Sequence, residues 1–508
     1  MVIERISPRT GFHAWLSSVV RGALAVAAVV VLTSSTALWA AGDSEDALKA
    51  EIDAALQDRR LNGAAIGVHV VTAGSGRVLY SHNGVSKLIP ASNQKLITAA
   101  AALDKLGDKY EFKTYLYVSG AFEPKKGAIE GDLILSGGGD PTLGSRLAPE
   151  KPLEQFDSWV ELLKMAGIKR ITGTLVVDEL FFDRERVHPD WPAEQLDKTY
   201  CAPISALSFM DNCVTITVMP GEKAGEATRV STLPNFPFFQ VLNRSQTASK
   251  SEGVWFSRKP ESLEVEVRGN VKPGGGGESG DVTVPRPELF AGAALADALR
   301  RGGIEVNGTV RLATEADLAG KGRWLKLISR RTPVSRVLRV MLKESDNLYA
   351  EHVIKTLGAE KAGNGSWQAG LGVAGQMLQR LGFRQEEFDL ADGSGMSRGN
   401  RISPALLCAV LTKMARSPYA TQFRESLPVS GVDGTLAKRL NDPACKNKVF
   451  AKTGYLYGVG ALSGYADTKS GLRVAFSILI NDFKDKGGNA SMKDIQDRIV
   501  RAIVGLAK

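Results

Sequence analysis

Three short strings in this chain carry hydroxyl, ammonium and amide groups at spacings that suit nucleophilic chemistry. The first is Ser92-Asn93-Gln94-Lys95, the single S-x-x-K in the sequence. On a helix, residues three apart share a face, so the ammonium of Lys95 lies beside the Ser92 hydroxyl. A lysine kept from water loses proton affinity and can act as a base on that hydroxyl. The N–H groups at a helix start also suit an oxyanion. Alone, the pattern fits a capping Ser92 with Lys95 laid along the helix at least as well.

The second string is Ser345-Asp346-Asn347, at the end of the helical segment RVLRVMLKE. Its hydroxyl and amide could bond both Lys95 and a substrate amide, or merely cap a helix break. The third is Lys452-Thr453-Gly454, inside the strand-like VFAKTGYLY. An edge strand there could offer a cation and a hydroxyl to a carboxylate, with Gly454 allowing close approach. Lys469-Ser470-Gly471 has the same spelling but lies between two strands and reads as a hairpin turn. Gly395-Met396-Ser397-Arg398-Gly399 matches a nucleophile elbow, but no helix pattern begins directly after Ser397, as an elbow requires.

These groups must be positioned by an α/β framework. Residues 44–60 have the spacing of an amphipathic helix. AIGVHVVTAGSGRVLYSHN reads as a hairpin of two alternating strands, and the Ser92 helix follows. From 113 to 324 the texture is mostly β, with one clear helix over 153–168 and a glycine-rich connection, NVKPGGGGESGDVTVP. Helices are predicted over 287–301, 333–358 and 367–382. Ser403-Pro404 marks another helix start. The end reads strand, strand, strand and a helix over 490–507. Sheet pieces at both ends imply one core built by both termini and interrupted by an insert. The predicted organisation is a leader over 1–41, a first part of the main domain over 42–112, inserted domains over 113–324, and the second part over 325–508.

The 508 residues are 44% hydrophobic and 23% charged, with a net charge of +9. The positive balance fits an anionic polymer or a membrane surface, and equally a solvated surface with extra lysines. No basic block with interleaved aromatics points to nucleic acid. The basic, then apolar, then small-residue pattern of the first 41 residues fits a secretory signal cut near 40–42, which places the protein in the periplasm. The alternative is an uncleaved anchor. An even set of four cysteines in an exported chain suggests two disulfides, Cys201–Cys213 and Cys408–Cys445 being the simplest pairing. No metal-ligand spacing occurs, and His69, His82, His188 and His352 are isolated, so neither metal nor cofactor is expected.

In this order, S-x-x-K, S-D-N and K-T-G form the set of the penicillin-recognising serine acyl-enzymes. The chain resembles the class C low-molecular-mass penicillin-binding proteins, the D-alanyl-D-alanine carboxypeptidase/endopeptidase group. The long gap from Ser92 to Ser345 carries this resemblance, together with GGGDPTL at 137–143, DGSGMSR at 392–398 and LPVSGVDGTL at 427–436. It implies a β-lactamase/transpeptidase-like domain, an antiparallel sheet flanked by helices, with two nested, mostly β inserts. It implies Ser92 as nucleophile and Lys95 as base, with Ser345, Asn347, Lys452 and Thr453 completing the catalytic set. The backbone N–H groups of Ser92 and Tyr455 would form the oxyanion hole. Peptidoglycan stem peptides and β-lactams are the implied ligands. Asp178 and Phe182 in VVDELFF, with Arg398, Gly454 and Tyr457, resemble substrate-contacting positions; Tyr457 stands where relatives often have Gln. A serine β-lactamase would need a deacylating ExxLN or Y-x-N motif, which the sequence lacks. A non-catalytic penicillin-sensing module would not need the full Ser–Lys–Ser–Asn–Lys–Thr set.

Overall fold

The computed structural model describes residues 44–144 and 151–507; the leader predicted over 1–41 lies outside them. Helix α1 covers 44–56. It is followed by β1 (Ala65–Thr72), β2 (Val78–His82) and α2 (Gln94–Lys105). The chain leaves this body on β3 (Glu111–Val118) and forms β4 (Leu133–Gly138), α3 (Glu154–Met165), β5 (Leu175–Asp178), α4 (Pro287–Arg301) and β6 (Val310–Leu312). It returns on β7 (Leu325–Pro333). Next come helices α5 (Val334–Lys343), α6 (Asn347–Ala362), α7 (Trp367–Arg380) and α8 (Pro404–Arg416). The chain closes with β8 (Val449–Leu456), β9 (Val459–Asp467), β10 (Arg473–Asn481) and α9 (Gly488–Gly505).

The two ends meet in one antiparallel sheet of order β8-β9-β10-β1-β2. Alternation sends Val474, Phe476, Ile478 and Ile480 of β10 to one face, where they pack with Ile495 and Ile499 of α9 and Leu48 and Ile52 of α1. Ala475 and Leu479 turn to the other face and join α2, α6 and α8. Both faces are therefore covered, and each fully buried large apolar side chain contributes about 1.5–3 kcal/mol. Helix α2 is buried from Gln94 through Leu103. Ala99 to Ala102, all fully buried, let the neighbouring helices and the sheet approach it closely.

The excursion between α2 and α5 forms two lobes. One is a five-stranded sheet of order β6-β5-β4-β3-β7, with α3 and α4 packed on one side. The other is all β: strands from Cys213 to Thr283 enclose a small valine-rich core. The helices predicted over 153–168 and 287–301 form α3 and α4 and fold back onto the insert sheet. The predicted stretch 333–358 is two helices. They break at Ser345, whose φ of +62° is left-handed, and Asp346 caps α6 by accepting from Tyr349 N–H. Ser403 caps α8 as its sequence implies.

Helix α6 is buried all round from Leu348 to Gly358, yet it carries Glu351, His352 and Lys355 inside the protein. Each is paired across an element boundary. His352 contacts Gly139 O and Ser208 Oγ, both at 2.9 Å. Lys355 Nζ lies 2.5 Å from Asp183 Oδ1 and donates to Glu185 O. The segment from Asp183 to Pro203 lies as a strap against the main domain. His188 Nε2 is 2.8 Å from Ala391 O, and Trp191 Nε1 donates to Asp392 Oδ2 at 3.2 Å.

No disulfide joins any of the four cysteines, contrary to the pairing expected from their even number. Cys408 packs on the α2/α6/α8 side of the main sheet, and Cys445 belongs to the core on the opposite side. The sheet stands between them. Cys201 lies 3.7 Å from the Met396 sulfur instead. No helix among the described residues is long and apolar enough to cross a membrane.

Candidate active site

A cavity of ≈ 850 Å³ opens where the Ser92 turn, the break between α5 and α6, the end of β8 and the strap converge. Ser92, Ser345, Asn347, Tyr455, Tyr457 and Arg398 line it. Ser92 sits in a 3-10 turn, Ala91–Asn93, that runs into α2. Ala91 before it is left-handed, with φ +46°. Such strain costs about 1–3 kcal/mol and persists only where the surroundings enforce it. Gly395 is one enforcer. A Cβ there would fall 1.8 Å from Ala91 O, so only glycine lets the 392–398 loop rest on this turn.

Lys95 Nζ is fully buried and lies 3.0 Å from Ser92 Oγ, 2.7 Å from Asn347 Oδ1 and 2.8 Å from Ser394 O. The last two atoms only accept. A neutral amine gives its two N–H groups to them and has its lone pair left for the Ser92 hydroxyl. Burial pushes the Lys95 pKa down to about 8, against the opposing pull of Glu351, Asp392 and Asp346. The spacing of S-x-x-K therefore produces the geometry it implies.

Lys452 is buried as well, with Nζ 2.8 Å from Ser345 Oγ. Burial, and then the charge of Lys95, hold its pKa well below the usual lysine value. The left-handed Ser345 thus places its hydroxyl between Lys452 and the cavity. Thr453 Oγ1 donates to Thr435 Oγ1 at 2.8 Å, bringing in a hydroxyl from the 427–436 segment. Val449 and Ala451 turn their backbone groups away from β9, toward 428–430. Strand alternation gives Thr453 and Tyr455 the same outward direction, so the Tyr455 N–H faces the open side that holds Ser92. Gly454 lets β8 approach the Ser92 turn, where Asn93 Nδ2 donates to Lys452 O at 3.0 Å. A Cβ on Gly454 would lie 2.9 Å from Pro90 O.

Two expected contacts are displaced. Asp178 ends β5 as a buried ion-pair partner, accepting from Ser136 Oγ at 2.8 Å and from Lys321 Nζ at 2.7 Å. Phe182 is buried against His352, under the strap. Neither lines the cavity. Asp190, Gln195 and Tyr200 of the strap line it instead, with Met396. The Tyr200 carbonyl accepts from Asn347 Nδ2 at 2.9 Å, tying this wall to α6. The one signal available for this wall was a long segment without periodicity between strand patterns. Arg398 Nη2 donates to Tyr457 O at 2.5 Å and closes the far end. Tyr457 itself is 87% exposed.

The rival strings lack this setting. Lys469-Ser470-Gly471 forms the β9–β10 turn, with Gly471 at φ +81°. Ser397 is buried and donates to Asp190 Oδ2 at 2.5 Å, in a loop with no helix after it. Glu351, one turn after Asn347 on α6, was not singled out from the sequence. Its carboxylate accepts from Gly393 N, Ser394 N and Trp367 Nε1, each at 2.8 Å.

The chain is 34% identical over 469 residues to a D-alanyl-D-alanine carboxypeptidase from an Actinomadura species, covering 89% of this chain and 84% of the relative. Its fold is similar to penicillin binding protein 4 from Haemophilus influenzae, with a TM-score of 0.76 and 27% identity over 89% of this chain and 99% of that one. A second Haemophilus influenzae structure of that protein, complexed with a β-lactam, superposes with a TM-score of 0.70, again with 27% identity over 89% and 99% of the two chains. A family model described as D-Ala-D-Ala carboxypeptidase 3 (S13) matches residues 48–503. With its three motifs gathered around one cavity, the chain belongs to the D-Ala-D-Ala carboxypeptidase 3 (S13) family.

Proposed function

We propose that this protein is a serine acyl-enzyme hydrolase of peptidoglycan stem peptides. It removes the terminal D-Ala as a carboxypeptidase and/or cuts D-Ala-to-diaminopimelate cross-links as an endopeptidase. The carrying observation is the contact chain Ser92 Oγ–Lys95 Nζ–Asn347 Oδ1, at 3.0 and 2.7 Å, opening on a cavity that Ser345 also lines. In this reading Ser92 Oγ attacks the carbonyl carbon of the scissile peptide bond, and its proton passes to the neutral Lys95 amine. The N–H groups of Ser92 and Tyr455 hold the resulting oxyanion. The Ser345 hydroxyl, in contact with Lys452, relays a proton to the leaving amine as the C–N bond breaks. Asn347 orients the acyl chain. Lys452, Thr453 and Thr435 receive the terminal carboxylate. Water then cleaves the Ser92 ester and restores the hydroxyl.

A β-lactam acylates Ser92 by the same attack. Arg398 and Tyr457 face the third residue of the stem, together with Tyr200 of the strap. The leader-like residues 1–41 support export to the periplasm, and the positive charge supports loose association with anionic surfaces there. Replacing Ser92 by Ala should abolish labelling by a fluorescent penicillin and D-Ala release from a pentapeptide, with the circular dichroism spectrum unchanged. Undiminished labelling of the variant would overturn the assignment.

A further inference from the structure

Lys95 does not choose its own orientation. Of its two pure acceptors, Asn347 Oδ1 opens α6 and Ser394 O belongs to the 392–398 loop. That loop is gripped from both sides. Thr98 Oγ1, one turn after Lys95 on α2, donates to Gly393 O at 2.7 Å. From α6, Glu351 Oε2 accepts from Gly393 N and Oε1 from Ser394 N, both at 2.8 Å. The residue whose N–H Glu351 holds is therefore the residue whose carbonyl meets Lys95. Trp367 Nε1 on α7 supplies a third donor to the carboxylate. With both oxygens occupied and the side chain fully buried, Glu351 does not reach the cavity and cannot activate the hydrolytic water.

We propose that Glu351 is a positioning residue for acylation: its carboxylate holds the 393–394 peptide so that the Ser394 carbonyl fixes Lys95 against Ser92, and its negative charge tunes the Lys95 ammonium. This rests on reading Ser92 and Lys95 as nucleophile and base. The charged groups around the pair are few. Asp392 on the loop, Asp346 at the start of α6 and Lys452 on β8 face Lys95, and Asp392 and Lys355 face Glu351. Burial, then the Asp392 charge, push the Glu351 carboxyl up to about 7, while its three N–H donors pull it down. A charged Glu351 opposes proton loss from Lys95. Removing its charge makes that loss easier.

The test is the pH dependence of penicillin acylation, read as the second-order rate constant, for Glu351→Gln and Glu351→Asp in the full chain. Gln removes the charge and turns one amide N–H toward a backbone N–H. Its acid limb should move down by about one pH unit, and its plateau should fall about tenfold or more as Lys95 loses its anchor. Asp keeps the charge but is one methylene shorter, so its plateau should fall while the limb stays. A purely structural role would lower melting temperature without moving the limb. An unmoved limb in a folded Glu351→Gln protein overturns the proposal. If that variant does not fold, Glu351→Asp decides alone: a wild-type plateau overturns it, and a reduced plateau with unchanged non-covalent penicillin binding supports it. Ser92→Ala is run in parallel. Labelling of that variant would overturn the nucleophile assignment itself, which separates the two failures.

Discussion

His352 offers a prediction with a calculable size. Its ring is fully buried between the main domain and the insert. Gly139 O can only accept, so Nδ1 carries the proton and Nε2 accepts from the Ser208 hydroxyl. Burial depresses its pKa from the ordinary 6.5 to about 4, against the Gly139 carbonyl and Asp140, which favour the charged ring. Between those values the unfolded chain binds the proton more readily than the folded one. Its stabilising contribution is therefore complete above about pH 6.5 and is lost as the pH falls toward 4. Going from about pH 7.5 to about pH 5, the loss is about 2 kcal/mol. Glu351 acts in the opposite sense. Its raised pKa means that the folded state gains protons first, so it adds stability over the same fall. A comparison of wild type with His352→Gln isolates the imidazole, because Glu351 is common to both and Gln can still donate to Gly139 and accept from Ser208. Urea unfolding can be followed by tryptophan fluorescence at those two pH values. Trp191 and Trp367, 6.1 Å apart, lie at the same joint, and Lys355 sits over the Trp367 ring at 4.1 Å. The wild type should lose about 2 kcal/mol more than the variant on acidification. An equal loss in both proteins refutes the reasoning.

Two other outcomes follow from close approach and from the unbridged thiols. Gly454→Ala places a Cβ 2.9 Å from Pro90 O and 3.0 Å from both Asn93 Nδ2 and the Ala461 Cβ. It should push β8 off the Ser92 turn, costing about 1–3 kcal/mol and slowing penicillin acylation about tenfold or more; an unaltered acylation constant would contradict the crowding argument. All four cysteines should react with a thiol reagent in denaturant without reductant. Recovery of two or none would mean that bridges form.

Legibility from the sequence followed the range of each signal. The proximity of Ser92 to Lys95, the helix break at Ser345-Asp346-Asn347 and the edge strand carrying Lys452 and Thr453 are legible because each string constrains its own local geometry. Their convergence could be inferred only from the three strings together. The sheet built by both termini was readable from alternation and from the position of the strands. Glu351 was not, since a glutamate inside NLYAEHVIKTLG looks like any exposed helical carboxylate until the helix is seen to be buried all round. Asp178 does not line the cavity in this structure; a strand-end aspartate has the same local pattern whether it faces a cavity or an ion-pair partner such as Lys321. The strap carrying Asp190, Gln195 and Tyr200 has no periodicity to reveal where it lies. The Cys408–Cys445 pairing is not realised because parity in the sequence says nothing of which side of a sheet each thiol occupies.

The pairing of β3 with β7 bears on how the protein assembles. Lys95 and Asn347 lie 252 positions apart, and an open chain of that length must be closed before they can meet. In the folded insert, Phe112 lies opposite Thr332 and Glu111 opposite Pro333, so the excursion begins and ends on adjacent strands. An insert that folds first presents α2 and α5 to each other as though joined by a short loop. Shortening the effective loop about eightfold removes about 2 kcal/mol of closure entropy. An insert that folds first therefore serves as a template for a cavity to which, of the insert, only the strap contributes lining residues, and damage to its β3–β7 seam should then slow the appearance of penicillin-reactive protein during refolding.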